Sequence, residues 1–156
     1  MADKTLHITR AGYLALQEEL NQIWIRRRDV TAALTAAAAE GDRSENAEYI
    51  YRKKELREID RRIRYLQKRL PELIVVDTLP TDTNRVYFAA WVTLENTQGD
   101  EITYRIVGPD EFNPKNNWIS ADSPMAKALM GKTLDDEIIV ATPAGKREYT
   151  ILKIDY

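Results

Sequence analysis

Two groups of residues have the types and spacing to do chemistry. The first is the segment Glu40-Gly41-Asp42-Arg43-Ser44-Glu45-Asn46-Ala47-Glu48, with four carboxylates and one arginine in nine residues. Asp42 and Glu45 can present hard oxygen donors to Mg²⁺, which takes few carboxylates and keeps water and phosphate oxygens around it. The competing explanation is helix capping. Asp42 with Glu45 three residues on resembles a capping box, Ser44 is another possible N-cap, and acids favour a helix N-terminus. The second group is basic. Lys54, Arg57, Arg61, Arg64 and Lys68 recur at steps of 3 and 4, which places them on one face of a helix. Arg26, Arg27 and Arg28, with Arg52 and Lys53, extend the cationic set. Such a stripe can pair with a phosphate backbone without reading sequence. The alternative is a solvated face whose charges pair locally, Glu58 with Arg62 and Asp60 with Arg64.

Most other site chemistries are excluded. The chain has no cysteine and a single histidine, so thiol nucleophiles, thiolate metal sites and paired-imidazole zinc sites are absent. The six glycines are scattered and form no phosphate-cradling loop. His7 reads as an exposed spacer in a frayed N-terminus.

The elements that must position these groups follow from periodicity. After Thr9, a potential N-cap, apolar or small residues recur at Tyr13, Leu16, Leu20, Ile23, Val30, Leu34 and Ala37, with Arg27 in the skipped slot. A second heptad seam runs through Tyr49, Leu56, Ile59, Ile63, Leu66 and Leu70, with Arg52 in its odd slot. Folding the chain about position 43 opposes Ala37 to Tyr49, Val30 to Leu56, Ile23 to Ile63 and Leu16 to Leu70. The pattern predicts an antiparallel helical hairpin, each arm of about 30 residues and roughly 45 Å long, with the acidic segment at its tip. Pro71 ends the second helix near Leu70.

Beyond Pro71 the period changes to two. Val86, Phe88, Ala90, Val92 and Leu94 alternate with polar or outward residues, as do Ile102, Tyr104 and Ile106 after the Thr97–Asp100 turn. Ser123-Pro124 opens a short helix that Gly131 can close. Two last strands, EIIVAT and REYTILKIDY, flank a turn at Pro143-Ala144-Gly145. Phe88, Trp91, Phe112 and Trp118 are expected in or near the core. The expected class is α+β: a hairpin over 1–76, a linker over 77–84 and a small sheet domain over 85–156.

With 156 residues, 44% hydrophobic and 31% charged, the chain reads as a soluble folded protein. It has no apolar run of signal-peptide or membrane-spanning length, so a cytoplasmic location is expected. The net charge of −2 is an average. Residues 1–77 hold 15 basic and 13 acidic side chains, and residues 78–156 hold eight and 12.

GDRSENAEY at 41–49 and YRKKELREIDRRIRYL at 51–66 resemble the bacterial Gre transcript-cleavage factor family (GreA/GreB), on its GreB side. AAWVTLEN, YRIVGPDE, WISADSPMAKALMGK and TPAG continue the likeness along the chain. The resemblance implies an N-terminal antiparallel coiled coil and a C-terminal FKBP-like antiparallel sheet with one short helix. It further implies binding to RNA polymerase at its secondary channel, as a monomer, with the coiled coil reaching the active site. There the factor stimulates the polymerase's own Mg²⁺-dependent cleavage of backtracked RNA and has no nuclease activity of its own. On this reading Asp42 and Glu45 help hold a Mg²⁺ shared with polymerase. Arg26, Arg27, Arg28, Arg52, Lys53, Lys54, Arg57, Arg61, Arg64 and Lys68 contact the nascent RNA 3′ segment or polymerase. Asp122, Ser123 and Pro124 take part in docking. A rival reading is a Gre-like channel binder that inhibits polymerase without promoting cleavage.

Overall fold

The computed structural model describes residues 6–40 and 46–156. The chain divides into two compact units, one of residues 13–72 and the other of the described residues through Gly12 together with Leu73–Tyr156.

The first unit holds most of helix α1 (Arg10–Ala38) and all of helix α2 (Ala47–Arg69). Every seam position the periodicity picks out is buried or half-buried. Val30, Ile59 and Ile63 form its centre, with Leu20, Ile23 and Leu56 packed around them. The contacts between helices run antiparallel, from Asn46 on Ala37 near one end to Arg62 on Glu19 towards the other. α2 ends at Arg69, and a single 3-10 turn, Leu70–Glu72, carries the chain through Pro71.

The second unit contains a two-stranded parallel pairing of β1 (His7–Thr9) with β2 (Ile74–Val76). This pairing is why residues 7–12 and 73–76 group with the sheet unit, although the sequence pattern assigned them to the hairpin. The main sheet has five strands in the order β5-β4-β3-β7-β6, with β3 at Trp91–Asn96, β4 at Glu101–Val107, β5 at Trp118–Ser120, β6 at Glu137–Thr142 and β7 at Gly145–Asp155. Its pairings are antiparallel except that β5 joins β4 in parallel. Helix α3 (Pro124–Leu129) supplies Ala126 and Leu129 to a core with Val92, Leu94, Ile106, Ile138, Val140 and Ile151.

Three expectations change. Strand geometry begins at Trp91, not Val86: Ala89 has φ of 73°, and the Val86 backbone is bonded to Gly131 and Lys132 instead of a strand neighbour. Val86 and Ala90 stay buried, so the alternation reports burial without a strand. His7 lies in β1, half-buried and edge-on to Phe88 at 5.6 Å, so it is not a frayed spacer. Phe112 is 59% exposed, lying just after a 3-10 turn at Pro109–Glu111, whose Glu111 takes the buried place.

Candidate functional site

Asp42 and Glu45, with Gly41, Arg43 and Ser44, lie outside the described residues. What frames them is defined. Asn46 is the N-cap of α2: its Oδ1 accepts from the Tyr49 amide at 3.1 Å, and its Nδ2 donates to the Ala37 carbonyl at 2.9 Å. One side chain thus starts the second helix and ties it to the last turn of the first. The cap of α2 falls to Asn46, so the capping explanation for Asp42, Ser44 and Glu45 loses its helix end.

The cationic set separates into two classes. Arg62 makes a bidentate bridge to Glu19 at 2.6 and 2.8 Å, and Arg26 bonds Glu55 at 2.8 and 3.1 Å. Arg52 reaches both Glu48 and Glu55, and Arg27 donates to Asp60 at 2.7 Å. Hydrogen bonding from the guanidinium of Arg62 lowers the Glu19 carboxyl below its ordinary pKa, and Arg26 does the same for Glu55. Glu48 and Glu55 raise that of Arg52. Arg26, Arg27 and Arg52, assigned from the sequence to an RNA- or polymerase-contacting patch, are therefore committed to carboxylates of the hairpin. Arg28, Lys54, Arg57, Arg61, Arg64 and Lys68 form no ion pair among the described residues, and all are exposed. Lys53 lies 5.8 Å from the Tyr49 ring. Because Asp60 pairs with Arg27 across the hairpin, the local pairing that would have neutralised Arg64 does not form. Among the described residues the whole stripe the spacing picked out, Lys54, Arg57, Arg61, Arg64 and Lys68, is thus left without an ion pair, as is Lys53.

A feature that the motif spacing does not single out lies beside that stripe. Trp24, Arg27, Asp60, Ile63, Arg64 and Gln67 line a shallow groove of about 460 Å³. The heptad register was sufficient to place Trp24 on the flank of the seam, but aromatic residues at such positions usually serve as cover.

In the second unit Ser123 caps α3, its hydroxyl accepting from the Ala126 amide at 3.2 Å, with Pro124 in the first turn. The Asp122 amide donates to Ser120 Oγ, and Asp122 and Pro124 are exposed while Ser123 is half-buried. The three form a corner fixed from behind by the helix cap. On the same sheet Arg105 lies between Trp91 and Trp118, its guanidinium 4.9 and 5.2 Å from their ring centroids. Burial lowers its pKa, opposed by the charge of Glu111. This clamp explains why both tryptophans are half-buried.

Among the described residues no cluster of three or more acidic or imidazole side chains could hold a metal ion. No helix among them is long and apolar enough to cross a membrane.

The family description "Transcription elongation factor, N-terminal" matches residues 6–75, and "Transcription elongation factor, GreA/GreB, C-term" matches residues 81–156. A "Transcription elongation factor GreB" of Pseudomonas aeruginosa is 57% identical over 150 residues, covering 96% of this chain and 89% of its own. The protein of that name in Haemophilus influenzae is 57% identical over 154 residues, 98% of each chain. Among solved structures, one described as the transcription factor Gfh1 is 27% identical and spans 100% of both chains, with a TM-score of 0.47. Relatives more than half identical along nearly the whole length leave one assignment: the chain belongs to the GreA/GreB family of transcription elongation factors.

Proposed function

We propose that this elongation factor binds RNA polymerase through the secondary channel and stimulates cleavage of the 3′ end of backtracked RNA by the polymerase active site. The observation that carries the reading is the Asn46 cap. It starts α2 after the acidic segment, so Asp42 and Glu45 are not needed to begin the helix. A two-carboxylate donor set suits Mg²⁺, which keeps waters and takes phosphate oxygens as its other ligands. It is too small to hold the ion firmly alone, so the site is completed by polymerase. The ion supplies stabilisation of the attacking and leaving oxygens in phosphodiester hydrolysis. Asp42 and Glu45 contribute negative charge and orient the water, Arg57, Arg61 and Arg64 hold the extruded strand, and Asp122, Ser123 and Pro124 dock one copy of the chain on the channel rim. No nuclease activity is expected of the free protein.

The test uses a defined backtracked complex. Asp42→Asn and Glu45→Gln are each expected to abolish release of 3′ RNA fragments while co-sedimentation with polymerase persists. Cleavage at the wild-type rate in both variants would refute the reading. A wild-type protein that binds and slows polymerase yet releases no fragment would instead establish the inhibitor.

A further inference from the structure

Resting on that reading, we propose that Trp24 is a stacking platform for an unpaired base of the extruded RNA. The two flanks of the hairpin differ. One is closed by the bridges of Glu19 with Arg62 and Arg26 with Glu55, which hold opposing side chains across the seam. The other carries an indole that is 40% exposed. Covering a seam does not require that much aromatic surface in water, since a leucine or the stem of a lysine would do it. The ring's neighbour reaches it only at long range. The Arg27 guanidinium, held by Asp60, lies 6.0 Å from the indole centroid, at the outer limit of cation–π contact.

Two further features select the occupant. Arg64 lines the same groove, is exposed, and has no carboxylate partner among the described residues. It also belongs to the stripe with Arg57, Arg61 and Lys68, so the groove and the cationic track share a member. Aromatic faces beside a line of unpaired cations are the pattern by which single strands are held without sequence preference: phosphates on the cations, bases on the rings. Gln67 adds an amide donor and acceptor on the groove wall. A duplex keeps its bases stacked on each other, so the occupant is a single-stranded nucleotide.

The position of Trp24 yields the test. It stands roughly 20 Å along α1 from the end of the helix nearest the tip. Only a long extruded strand can reach it, whereas a short one is held by the tip alone. The experiment compares wild type, Trp24→Leu and Trp24→Tyr on polymerase complexes backtracked by short and long distances. Leucine keeps apolar cover on the seam and tyrosine keeps an aromatic face. Trp24→Leu is expected to slow long-fragment cleavage by roughly fivefold to a hundredfold, the range that loss of one stacked base gives. Short-fragment cleavage serves as the reference, and Trp24→Tyr is expected to restore most of the long-fragment rate. A photoreactive uridine placed in the long extruded segment is expected to crosslink to α1 in wild type and not in Trp24→Leu. Long-fragment cleavage and crosslinking at wild-type levels in Trp24→Leu would overturn the stacking site and leave the cleavage function standing. So would an equal loss at both lengths, which marks a structural role. A wild-type protein inert at both lengths would overturn the proposed function and this inference with it.

Discussion

Glu111 shows how one side chain can hold distant backbone together. Its carboxylate accepts from the Thr9 amide at 3.0 Å, the Thr9 hydroxyl, and the Gly108 amide at 2.8 Å. The Thr9 hydroxyl in turn accepts from the Gly12 amide at 3.1 Å, capping α1. The packing leaves no room for side chains here: a Cβ on Gly12 would collide with the Glu111 carboxyl, and one on Gly108 with the His7 carbonyl. Removing the carboxylate strands buried donors, so Glu111→Ala is expected to cost about 2–4 kcal/mol in chemical denaturation. Thr9→Ala is expected to cost about 1 kcal/mol. Since the two share a network, the double variant is expected to lose less than the two losses added. Strict additivity would show that Thr9 and Glu111 act separately. Thr9 was legible in the sequence because caps are local. Glu111 was not, because its partner stands 102 residues away and nothing in a Gly-Pro-Asp-Glu turn marks one acid for burial. Asn46 sits between these cases: a cap was expected at the tip, but Asp42 and Ser44 before it were the candidates for the place.

At the scale of elements, the heptads gave the hairpin and its register because burial at every third or fourth residue leaves a regular trace. The ion pairs left none that the spacing resolves: Asp60, which could pair with Arg64 within α2, reaches across to Arg27 of α1 instead, and Glu55 holds Arg26 of α1 as well as Arg52 of its own helix. That choice has a pH signature. Glu19 and Glu55 have carboxyl pKa values lowered in the folded state by arginine hydrogen bonds. Their contribution is complete above the unfolded glutamate value of about 4.3 and is lost as pH falls through the lower folded values. The hairpin is therefore expected to melt at lower temperature at pH 3 than at pH 7, and Glu19→Gln with Glu55→Gln to narrow that difference. Both glutamates are only half-buried and their arginine partners reach solvent, so the effect is modest. An unchanged pH dependence in the double variant would show that these bridges carry no stability. In the sheet unit, the alternation from Val86 predicted burial correctly and pairing incorrectly. A left-handed residue at Ala89 interrupts the strand without disturbing which side chains face the core.

For the molecule as a whole, a net charge of −2 conceals surfaces of opposite sign. Glu19, Glu48, Glu55 and Asp60 pair with Arg26, Arg27, Arg52 and Arg62 and none of them with the α2 stripe, which stays cationic although the chain is acidic overall. This division separates the RNA-holding role proposed for Arg57, Arg61 and Arg64 from folding: among the described residues they make no ion pair, so reversing them removes no bridge seen there. The triple change to glutamate is expected to leave the melting temperature within a few degrees of wild type. It is expected to reduce long-fragment cleavage more than short. It should also flatten the salt dependence of crosslinking to the extruded strand, by about 0.7 in log–log slope for each phosphate no longer neutralised. Reversal of Arg26, Arg27 and Arg52 should do the opposite, lowering thermal stability through broken bridges while affecting both fragment lengths together. If both triple variants lost long and short cleavage equally with no change in salt slope, the stripe would be acting in polymerase docking and the assignment of its free cations to RNA would fall.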